Sequence, residues 1–334
     1  MAIRVMFMGL GPIGAGVARQ VAGRKGFKIV AAVDIDTAKV GKDLGDFLGL
    51  RKRMNVKITA DAAVALRKGR PQVAVLCTGS SLRAVMPQLE TVLKARVPIV
   101  STTEELAYPW RTHRALAVKL DKLAKKAGVA VVGTGVNPGF AMDALPISIT
   151  GICERVDAIR VDRIQDARIR RLPFQQKIGA GLTPEQFAEK VKAGSVRHVG
   201  LTESIAMISD AFGWKLDRIT DEISPKIAAH PVQSEFVSVE RGQVSGIVQD
   251  GTGYRDGKAV IVLHMEAYFG APETYDAITV EGSPSLRVKA EGGFHGDLAT
   301  TSITVNTIPK VLDAPPGLHT MRTLPIPSFF GGKA

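Results

Sequence analysis

The stretch that decides the fold lies near the amino terminus, where the apolar run Ile3–Met8 is followed directly by Gly9-Leu10-Gly11-Pro12-Ile13-Gly14. Apolar residues then recur at helical spacing, at Val17 and Val21. A G-x-G-x-x-G motif between a strand and a helix is typical of a dinucleotide-binding turn. The first glycine permits the turn, the second lets the backbone approach a pyrophosphate, and the third allows the helix to pack closely on the strand.

This motif predicts a cofactor site built from Gly9, Gly11, Pro12, Ile13 and Gly14. The free N–H groups at the start of the helix would bind the phosphates. Pro12 has no N–H to donate, so the site depends on the other amides.

An acidic residue at the expected distance indicates which dinucleotide is bound. Asp34 follows the second apolar run, Ile29–Val33, and lies 20 residues after Gly14. A carboxylate at this place accepts hydrogen bonds from the ribose hydroxyls of NAD and repels the 2′-phosphate of NADP. Asp36 is a second candidate for this role. Lys39 is near enough in sequence to meet a phosphate, so we expect NAD, with NADP as an alternative.

The first half of the chain alternates apolar runs with helical patterns. Further strands are predicted at Val56–Ile58, Val73–Cys77, Pro98–Val100 and Val129–Val132, and further helices at Leu82–Leu93 and Trp110–Ala127. Alternation of this kind predicts an α/β fold of the Rossmann type, a doubly wound parallel sheet with helices on both faces.

The pattern changes near Pro138. Helices are predicted at Pro184–Lys192 and Thr202–Phe212, among the strands Ala158–Ile164, Gln243–Val248, Ala259–Ala267, Ala277–Val280 and Leu286–Val288. We interpret Asp250-Gly251 and Asp256-Gly257 as turns between strands. This part therefore reads as an α+β domain with a mostly antiparallel sheet, followed by a helix over Leu298–Val311.

The predicted domains are a dinucleotide-binding domain over 1–139, an α+β substrate and dimerisation domain over 140–293, and a segment over 294–334 that returns to the first domain. On the last helix the polar residues Thr300, Thr301 and Asn306 interrupt an apolar pattern. We expect Asn306 to face the nicotinamide.

Composition and charge exclude several classes of protein. The chain has 334 residues, 45% hydrophobic and 23% charged, which fits about two globular domains. No apolar run is long enough to span a membrane.

The first 150 residues carry 23 basic and 10 acidic residues, which suits an anionic ligand. Nucleic acid is not expected, because few aromatic residues are present for base stacking. Two cysteines, Cys77 and Cys153, fit a reducing, cytoplasmic compartment.

Three polar loops follow strands of the parallel sheet, where ligands bind in doubly wound folds. The loop Thr78-Gly79-Ser80 is small enough to contact the cofactor. The loop over 101–105 brings Glu104 and Glu105 to the nicotinamide end. Neighbours on an extended segment point to opposite sides, so we expect one glutamate to face the site and act in proton transfer. The third loop covers 133–140.

No metal site is predicted, because the six histidines show no ligand spacing among themselves or with cysteine. A nucleophile elbow and a P-loop are also absent from the sequence.

Several longer stretches resemble one family, the 2,4-diaminopentanoate dehydrogenases and related NAD(P)-dependent amine dehydrogenases. The stretches are GLGPIG, VDIDTAKVGKDLG, STTEELAYPW, GTGVNPGFAMD, DRIQDARIRRLPFQQKIGAGLTPEQF, RHVGLTES and GDLATTSITVNTIPKVLDAPPGL. The resemblance extends over nearly the whole chain. True dihydrodipicolinate reductases are less similar, because they carry a His-His pair that this sequence lacks.

The resemblance implies reversible oxidative deamination of a primary amine to a ketone and ammonia. It points to Glu104 as the catalytic carboxylate. It also implies a substrate pocket that contains Asn137, Phe140, Arg163, Gln165, His198 and His264. In the diamino-acid enzymes an arginine at the place of Arg163 would hold the substrate carboxylate. Thr103 stands where many relatives carry cysteine, and Gln165 stands where some carry asparagine. The second departure leaves the exact diamino acid open.

Each pocket assignment has a structural alternative. Arg163 could pair with Asp162 or Asp166, and the two histidines, Asn137 and Phe140 could serve packing or turns. Two other functions also fit the fold, a cyclic imine reductase and a non-catalytic dinucleotide-binding protein. We expect a homodimer formed through the antiparallel sheet.

Overall fold

The computed structural model describes residues 2–331. It divides into two compact units, the first formed by Met1–Phe140 with Gly296–Ala334 and the second by Ala141–His295. Each unit has its own sheet, and elements are numbered in chain order.

The first unit contains a seven-stranded sheet in which every pairing is parallel. The strands are β1 (Ile3–Met8), β2 (Phe27–Val33), β3 (Ile58–Thr59), β4 (Val73–Leu76), β5 (Ile99–Ser101), β6 (Ala130–Gly133) and β15 (Gly317–His319). Their order is β15-β6-β5-β4-β1-β2-β3. After β1 the chain adds β2 and β3 on one side of this strand, and then β4, β5, β6 and β15 on the other side. In such sheets the ligand-binding crevice lies where the strand order reverses, here between β1 and β4.

Helices cover both faces of this sheet. They are α1 (Pro12–Gly23), α2 (Leu44–Leu48), α3 (Ala62–Gly69), α4 (Leu82–Lys94), α5 (Arg114–Ala127) and α10 (Gly296–Leu312). Met6 and Met8 of β1 pack in one core with residues of α3, α4 and α5. Val5 and Phe7 point to the opposite face and are fully buried there. The predicted Rossmann fold is confirmed.

The close packing of α10 on α1 depends on a glycine. A Cβ on Gly16 would lie 2.8 Å from Cγ2 of Thr301. The Gln20 amide donates a hydrogen bond to Thr301 Oγ1 at 2.7 Å. Thr301 is therefore a packing residue of this helix pair.

The second unit is built on a six-stranded mixed sheet, order β14-β13-β7-β12-β11-β8. Its strands are β7 (Arg155–Asp166), β8 (Arg218–Ile227), β11 (Val244–Arg255), β12 (Lys258–Tyr268), β13 (Tyr275–Ser283) and β14 (Leu286–Glu291). The pair β7–β12 is parallel and the other pairs are antiparallel, as expected for this domain class. A separate ribbon joins β9 (Val232–Gln233) and β10 (Ser238–Val239). The helices are α6 (Ala144–Ile149), α7 (Leu172–Lys177), α8 (Pro184–Lys192) and α9 (Leu201–Ala211).

One predicted turn is wrong. Asp250-Gly251 lies inside β11, and the chain reverses only at Asp256-Gly257, where both residues have positive φ. The glycine is needed for packing instead, since a Cβ on Gly251 would lie 3.0 Å from Ile205 of α9. Glycine in a strand marks a close approach as well as a turn.

Candidate active site

The glycine turn has the shape that a dinucleotide requires. Gly9 has a φ of +85°, and a Cβ there would lie 2.5 Å from the Cys77 carbonyl oxygen. A Cβ on Gly14 would lie 2.0 Å from the Gly9 carbonyl oxygen. A Cβ on Gly11, by contrast, would meet nothing within 4 Å. Gly9 and Gly14 are therefore fixed by packing, while Gly11 leaves the helix start open to a pyrophosphate. Pro12 and Ile13 begin α1.

Asp34 is held directly beside this turn. Its Oδ2 accepts a hydrogen bond from the Leu10 N–H at 2.7 Å, and its Oδ1 accepts one from the Asp36 N–H at 2.9 Å. Lys39 Nζ lies 3.1 Å from Asp34 Oδ2 and 3.4 Å from Asp36 Oδ2. Burial opposes ionisation of Asp34, but these hydrogen bonds and the lysine charge outweigh it and hold the pKa below its ordinary value. The turn therefore has a stable carboxylate where a ribose would bind.

The two neighbouring glutamates have different surroundings. Glu105 Oε2 accepts a hydrogen bond from the Leu82 N–H, at the start of α4, at 2.7 Å. The same oxygen lies 3.1 Å from His113 Nε2, and the Glu105 N–H donates to the Ser80 carbonyl at 3.2 Å. Glu105 thus fastens the loop after β5 to the Thr78-Gly79-Ser80 loop after β4. This structural role of Glu105 favours Glu104 as the acid–base group.

Glu104 opens a short 3₁₀ helix, Glu104–Leu106, and is half-buried. The Ala107 N–H donates to its carbonyl oxygen at 3.1 Å, so its backbone is fixed. This 3₁₀ helix begins three residues after Ser101, the last residue of β5. Glu104 therefore lies at the carboxyl edge of the parallel sheet, the edge that also carries the glycine turn.

The third loop is tied to the carboxy-terminal helix. The Thr134 N–H donates to the Ser101 carbonyl at 2.8 Å, and the Val136 N–H donates to Thr300 Oγ1 at 3.3 Å. The Asn137–Pro138 peptide bond is cis, and Asn137 and Phe140 are both half-buried. Both side chains thus follow β6 at the same edge of the sheet.

The expectation that Asn306 faces the nicotinamide is not supported. Its side-chain oxygen accepts hydrogen bonds from Arg24 Nη1 at 2.7 Å and from the Phe330 N–H at 3.2 Å. Arg24 lies just beyond the carboxy-terminal end of α1, whereas the glycine turn lies at its amino-terminal end. Twelve helical residues separate the two ends, about 18 Å. Asn306 instead anchors the last described residues of the chain.

Arg163 is a buried structural cation in this structure. It is 2% exposed, forms an ion pair with Asp276, and donates from Nη2 to the Phe294 carbonyl at 2.8 Å. Burial lowers its pKa, and the Asp276 carboxylate opposes that shift. Because its charge is already compensated, the expected role of Arg163 as a clamp for a substrate carboxylate is not supported.

Gln165 is part of the same network. Its oxygen accepts a hydrogen bond from Arg170 Nη1 at 3.0 Å, and its nitrogen donates to the Phe294 carbonyl at 3.3 Å. The alternatives considered for Arg163 have other partners, because Asp162 pairs with Arg160 and Asp166 pairs with Arg168.

The two predicted pocket histidines also have defined partners. His264 Nδ1 lies 2.7 Å from Asp250 Oδ1, and its Nε2 lies 3.2 Å from Glu266 Oε1. Both ring nitrogens are therefore engaged on the sheet surface, which favours a structural role. The His198 N–H and carbonyl are bound by the Gln249 side chain at 2.8 and 3.0 Å. The fully buried Gln249, which the sequence did not single out, fixes the backbone position of His198.

Among residues 2–331, no group of three or more histidine, cysteine, aspartate or glutamate side chains is arranged to hold a metal ion. In the same part of the chain, no helix is both long and apolar enough to cross a membrane.

The fold and the open glycine turn are those of a dinucleotide-binding protein, and comparison with known proteins narrows this class. The family model of the 2,4-diaminopentanoate dehydrogenase C-terminal domain matches residues 140–334, and that of the dihydrodipicolinate reductase N-terminus matches residues 3–134. The chain belongs to the 2,4-diaminopentanoate dehydrogenase family.

Relatives match over the whole length. The 2,4-diaminopentanoate dehydrogenase of Acetoanaerobium sticklandii is 34% identical, with 97% of this chain and 94% of that protein covered. An amine dehydrogenase of Streptomyces virginiae is 22% identical over 97% of this chain and 96% of that protein. The solved amine dehydrogenase of Mycobacterium smegmatis superposes with a TM-score of 0.89 at 28% identity, covering 100% of this chain and 99% of that one.

Proposed function

We propose that this enzyme, an NAD(P)-dependent amine dehydrogenase, oxidises the primary amine of a small substrate similar to 2,4-diaminopentanoate. The products are a ketone and ammonia, and the reaction runs in both directions. The observation that carries the proposal is the position of Glu104, at the same sheet edge as the open Gly11 turn, in a chain 34% identical to a 2,4-diaminopentanoate dehydrogenase.

In this proposal Glu104 moves protons. A protonated amine cannot release hydride readily, so Glu104 first takes a proton from the substrate ammonium. A dinucleotide held at the glycine turn and Asp34 would supply the acceptor for the hydride of the substrate carbon. Glu104 releases the ammonium proton to solvent and then takes a proton from the water that attacks the resulting iminium. It passes that proton to the amino nitrogen of the carbinolamine, from which ammonia leaves as the hydroxyl loses its proton and the ketone forms. In reverse, Glu104 protonates the departing hydroxyl of the carbinolamine.

The cofactor is proposed to be NAD, with NADP as a weaker alternative. Asp34 carries a stabilised negative charge beside the turn, which repels a 2′-phosphate. Lys39 Nζ contacts both Asp34 and Asp36, and we assign this cation to phosphate binding in the NADP alternative.

The proposed reaction is tested by NADH consumption with a panel of small ketones, with and without ammonium. We expect consumption that requires both ketone and ammonium, and NAD⁺ reduction with 2,4-diaminopentanoate. Consumption of NADH with cyclic imines but without need for ammonium would instead indicate an imine reductase. NADH binding with no turnover of any amine or imine would indicate a non-catalytic dinucleotide-binding protein.

We also propose that the enzyme is a homodimer formed through the sheet of the second unit. On β7 and β12, alternate residues are buried, while those on the opposite face are half-exposed and include Ile164 and Val262. A half-exposed sheet face that carries apolar residues among charged ones, such as Arg160 opposite Val262 and Glu266 opposite Ile164, is suited to a two-fold interface.

Light scattering coupled to size-exclusion chromatography tests the dimer. We expect twice the chain mass for the wild-type protein and the single chain mass for Ile164→Lys combined with Val262→Lys. A monomeric wild-type protein, or a dimer that persists in the double variant with unchanged circular dichroism, would contradict this interface.

A cytoplasmic location is part of the proposal. Cys77 and Cys153 are both free, which suits a reducing compartment. Burial raises the pKa of the Cys77 thiol to about 11, with an opposing hydrogen bond to Thr102, so this thiol is also poorly reactive.

A further inference from the structure

The first unit contains an open cavity of about 610 Å³ at the amino-terminal edge of its parallel sheet. It is lined by Arg4, the second residue of β1, by Pro71 just before β4 and by Val97 just before β5. Gly9 follows the other end of β1, five residues beyond Arg4, which is about 16 Å along a strand. The cavity is therefore separate from the proposed cofactor site.

Positive charge dominates the lining of this cavity. Among the described residues that line it none is acidic, and four are basic: Arg4, Arg67, Arg70 and Lys94. Within residues 2–331, none of these four side chains forms an ion pair. Four cations around one cavity repel one another, so a bound anion would stabilise them.

Two of the cations have an ordinary structural explanation. Arg67 lies in the last turn of α3 and Lys94 in the last turn of α4, where a positive charge complements the helix carbonyls. This does not account for Arg4, which is on β1, or for Arg70, which follows α3. Arg4 Nε donates to the Arg70 carbonyl at 2.9 Å. The bond holds the Arg4 guanidinium at the end of α3, beside the basic last turn of that helix.

The backbone beside the cavity is strained at two arginines. Arg70 has a φ of +45° and Arg96 a φ of +56°, and Arg96 lies between the lining residues Ala95 and Val97. Among the described residues with positive φ, these two alone are not glycine, asparagine or aspartate, which tolerate this conformation. Glycine is the usual residue at the place of Arg70, at the end of a helix. Backbone strain of this kind clusters at ligand-binding sites.

The floor of the cavity is apolar. Leu66, Pro71 and Val97 are buried there, whereas Ala63 and Ala95 are exposed at its rim. A cavity of this volume holds a whole small molecule. Cations around an apolar floor suit a ligand that has both phosphate groups and a flat, weakly polar part, since arginine binds phosphate through its planar fork and also stacks on rings.

We propose that this cavity binds a nucleoside diphosphate or triphosphate, separately from the dinucleotide at the glycine turn. A single phosphate monoester carries at most about two negative charges, so four cations match a longer polyphosphate. The base covers the apolar floor formed by Leu66, Pro71 and Val97. This site does not depend on the proposed amine oxidation.

The test is calorimetric titration of the full chain with ATP, in the presence of saturating NAD⁺ to occupy the glycine turn. The cavity variants are Arg67→Gln combined with Lys94→Gln, and Arg70→Gly. The matched control is Lys190→Gln combined with Lys192→Gln, which removes two charges from the last turn of α8. Inorganic triphosphate is the comparison ligand, and thermal unfolding and NAD⁺ binding are measured for every variant.

We expect the double cavity variant to bind ATP roughly 10- to 100-fold more weakly, the effect of losing two contacts with a charged group. The control should bind ATP as the wild-type protein does, and NAD⁺ affinity should be unchanged throughout. Arg70→Gly should weaken ATP binding about 10-fold while the Tm stays equal or rises, because glycine adopts a positive φ without strain. A purely structural arginine would not give this combination.

No binding of ATP to the NAD⁺-saturated wild-type protein, or equal affinity in the wild-type protein and both cavity variants, would overturn the site. Equal losses in the control would also overturn it, because the effect would then reflect the net charge of the chain. Equal affinity for ATP and inorganic triphosphate would contradict the nucleoside part of the proposal.

Discussion

Replacement of Glu104 by glutamine is expected to lower kcat for amine oxidation by roughly 100- to 10,000-fold, the usual contribution of a general acid–base group. Glutamine keeps the size and hydrogen-bonding capacity of the side chain but cannot accept the substrate proton. The Kd for NADH should stay nearly unchanged, because the contacts that we propose for the pyrophosphate and the ribose are at the glycine turn and Asp34. Steady-state kinetics with an amine, together with NADH titration, measure the two effects.

The matched control is Glu105→Gln. The structure predicts a much smaller loss of kcat, because Glu105 holds the start of α4 through the Leu82 N–H and the glutamine carbonyl can still accept that bond. A wild-type rate for Glu104→Gln, or a larger loss for Glu105→Gln, would show that the other carboxylate carries the proton.

The second large effect is expected for Asp34→Ser. Removal of the carboxylate that repels the 2′-phosphate should shift the ratio of kcat/KM for NADP over NAD upward by roughly 10- to 100-fold, which corresponds to the loss of one nearby charge. Lys39, which now pairs with Asp34 and Asp36, would then be available to the phosphate. Kinetics with the two cofactors measure the ratio.

The pH dependence offers a check on the same residue. The pKa of Asp34 is held below its ordinary value, so the carboxylate stays ionised from neutral pH down to its ordinary titration range. The proposed preference for NAD should therefore be constant between about pH 7 and pH 8, a range in which Asp34 is ionised and which lies above the second pKa, about 6, of the 2′-phosphate. If Asp34→Ser leaves the cofactor ratio unchanged, Asp36 becomes the ribose acid, and Asp36→Ser should produce the shift instead.

Much of the fold was predictable because its signals are local. The glycine turn, its strand and its helix are contiguous, and β1 runs over the predicted residues Ile3–Met8. The strand β15 was not predicted, because it has only three residues and no periodic pattern. Its place is set by distant contacts, such as the hydrogen bond from the Leu318 N–H to Asp121 at 3.0 Å.

Residues of the candidate site could be predicted only where their position follows from a nearby motif or strand in the sequence. Asp34 could be placed by its spacing from Gly14, and the glutamate pair by its strand. The partner of Arg163 could not, since Asp276 is 113 positions away and only the pairing of β7 with β13 brings the two together. The separate roles of Glu104 and Glu105 likewise depend on the contacts of Glu105 with Leu82 and His113. These contacts form only in the folded chain, so the sequence does not reveal them.

The most direct test of the central claim follows atoms from cofactor and ammonia into product. The enzyme is incubated with a small ketone, NADH that carries two deuterium atoms at C4 and nitrogen-15 ammonium, and the product is analysed by mass spectrometry. The account predicts an amine that contains one deuterium on the former carbonyl carbon and one nitrogen-15. An alcohol that carries deuterium without nitrogen-15, or no deuterated product with any ketone of the panel, would contradict it.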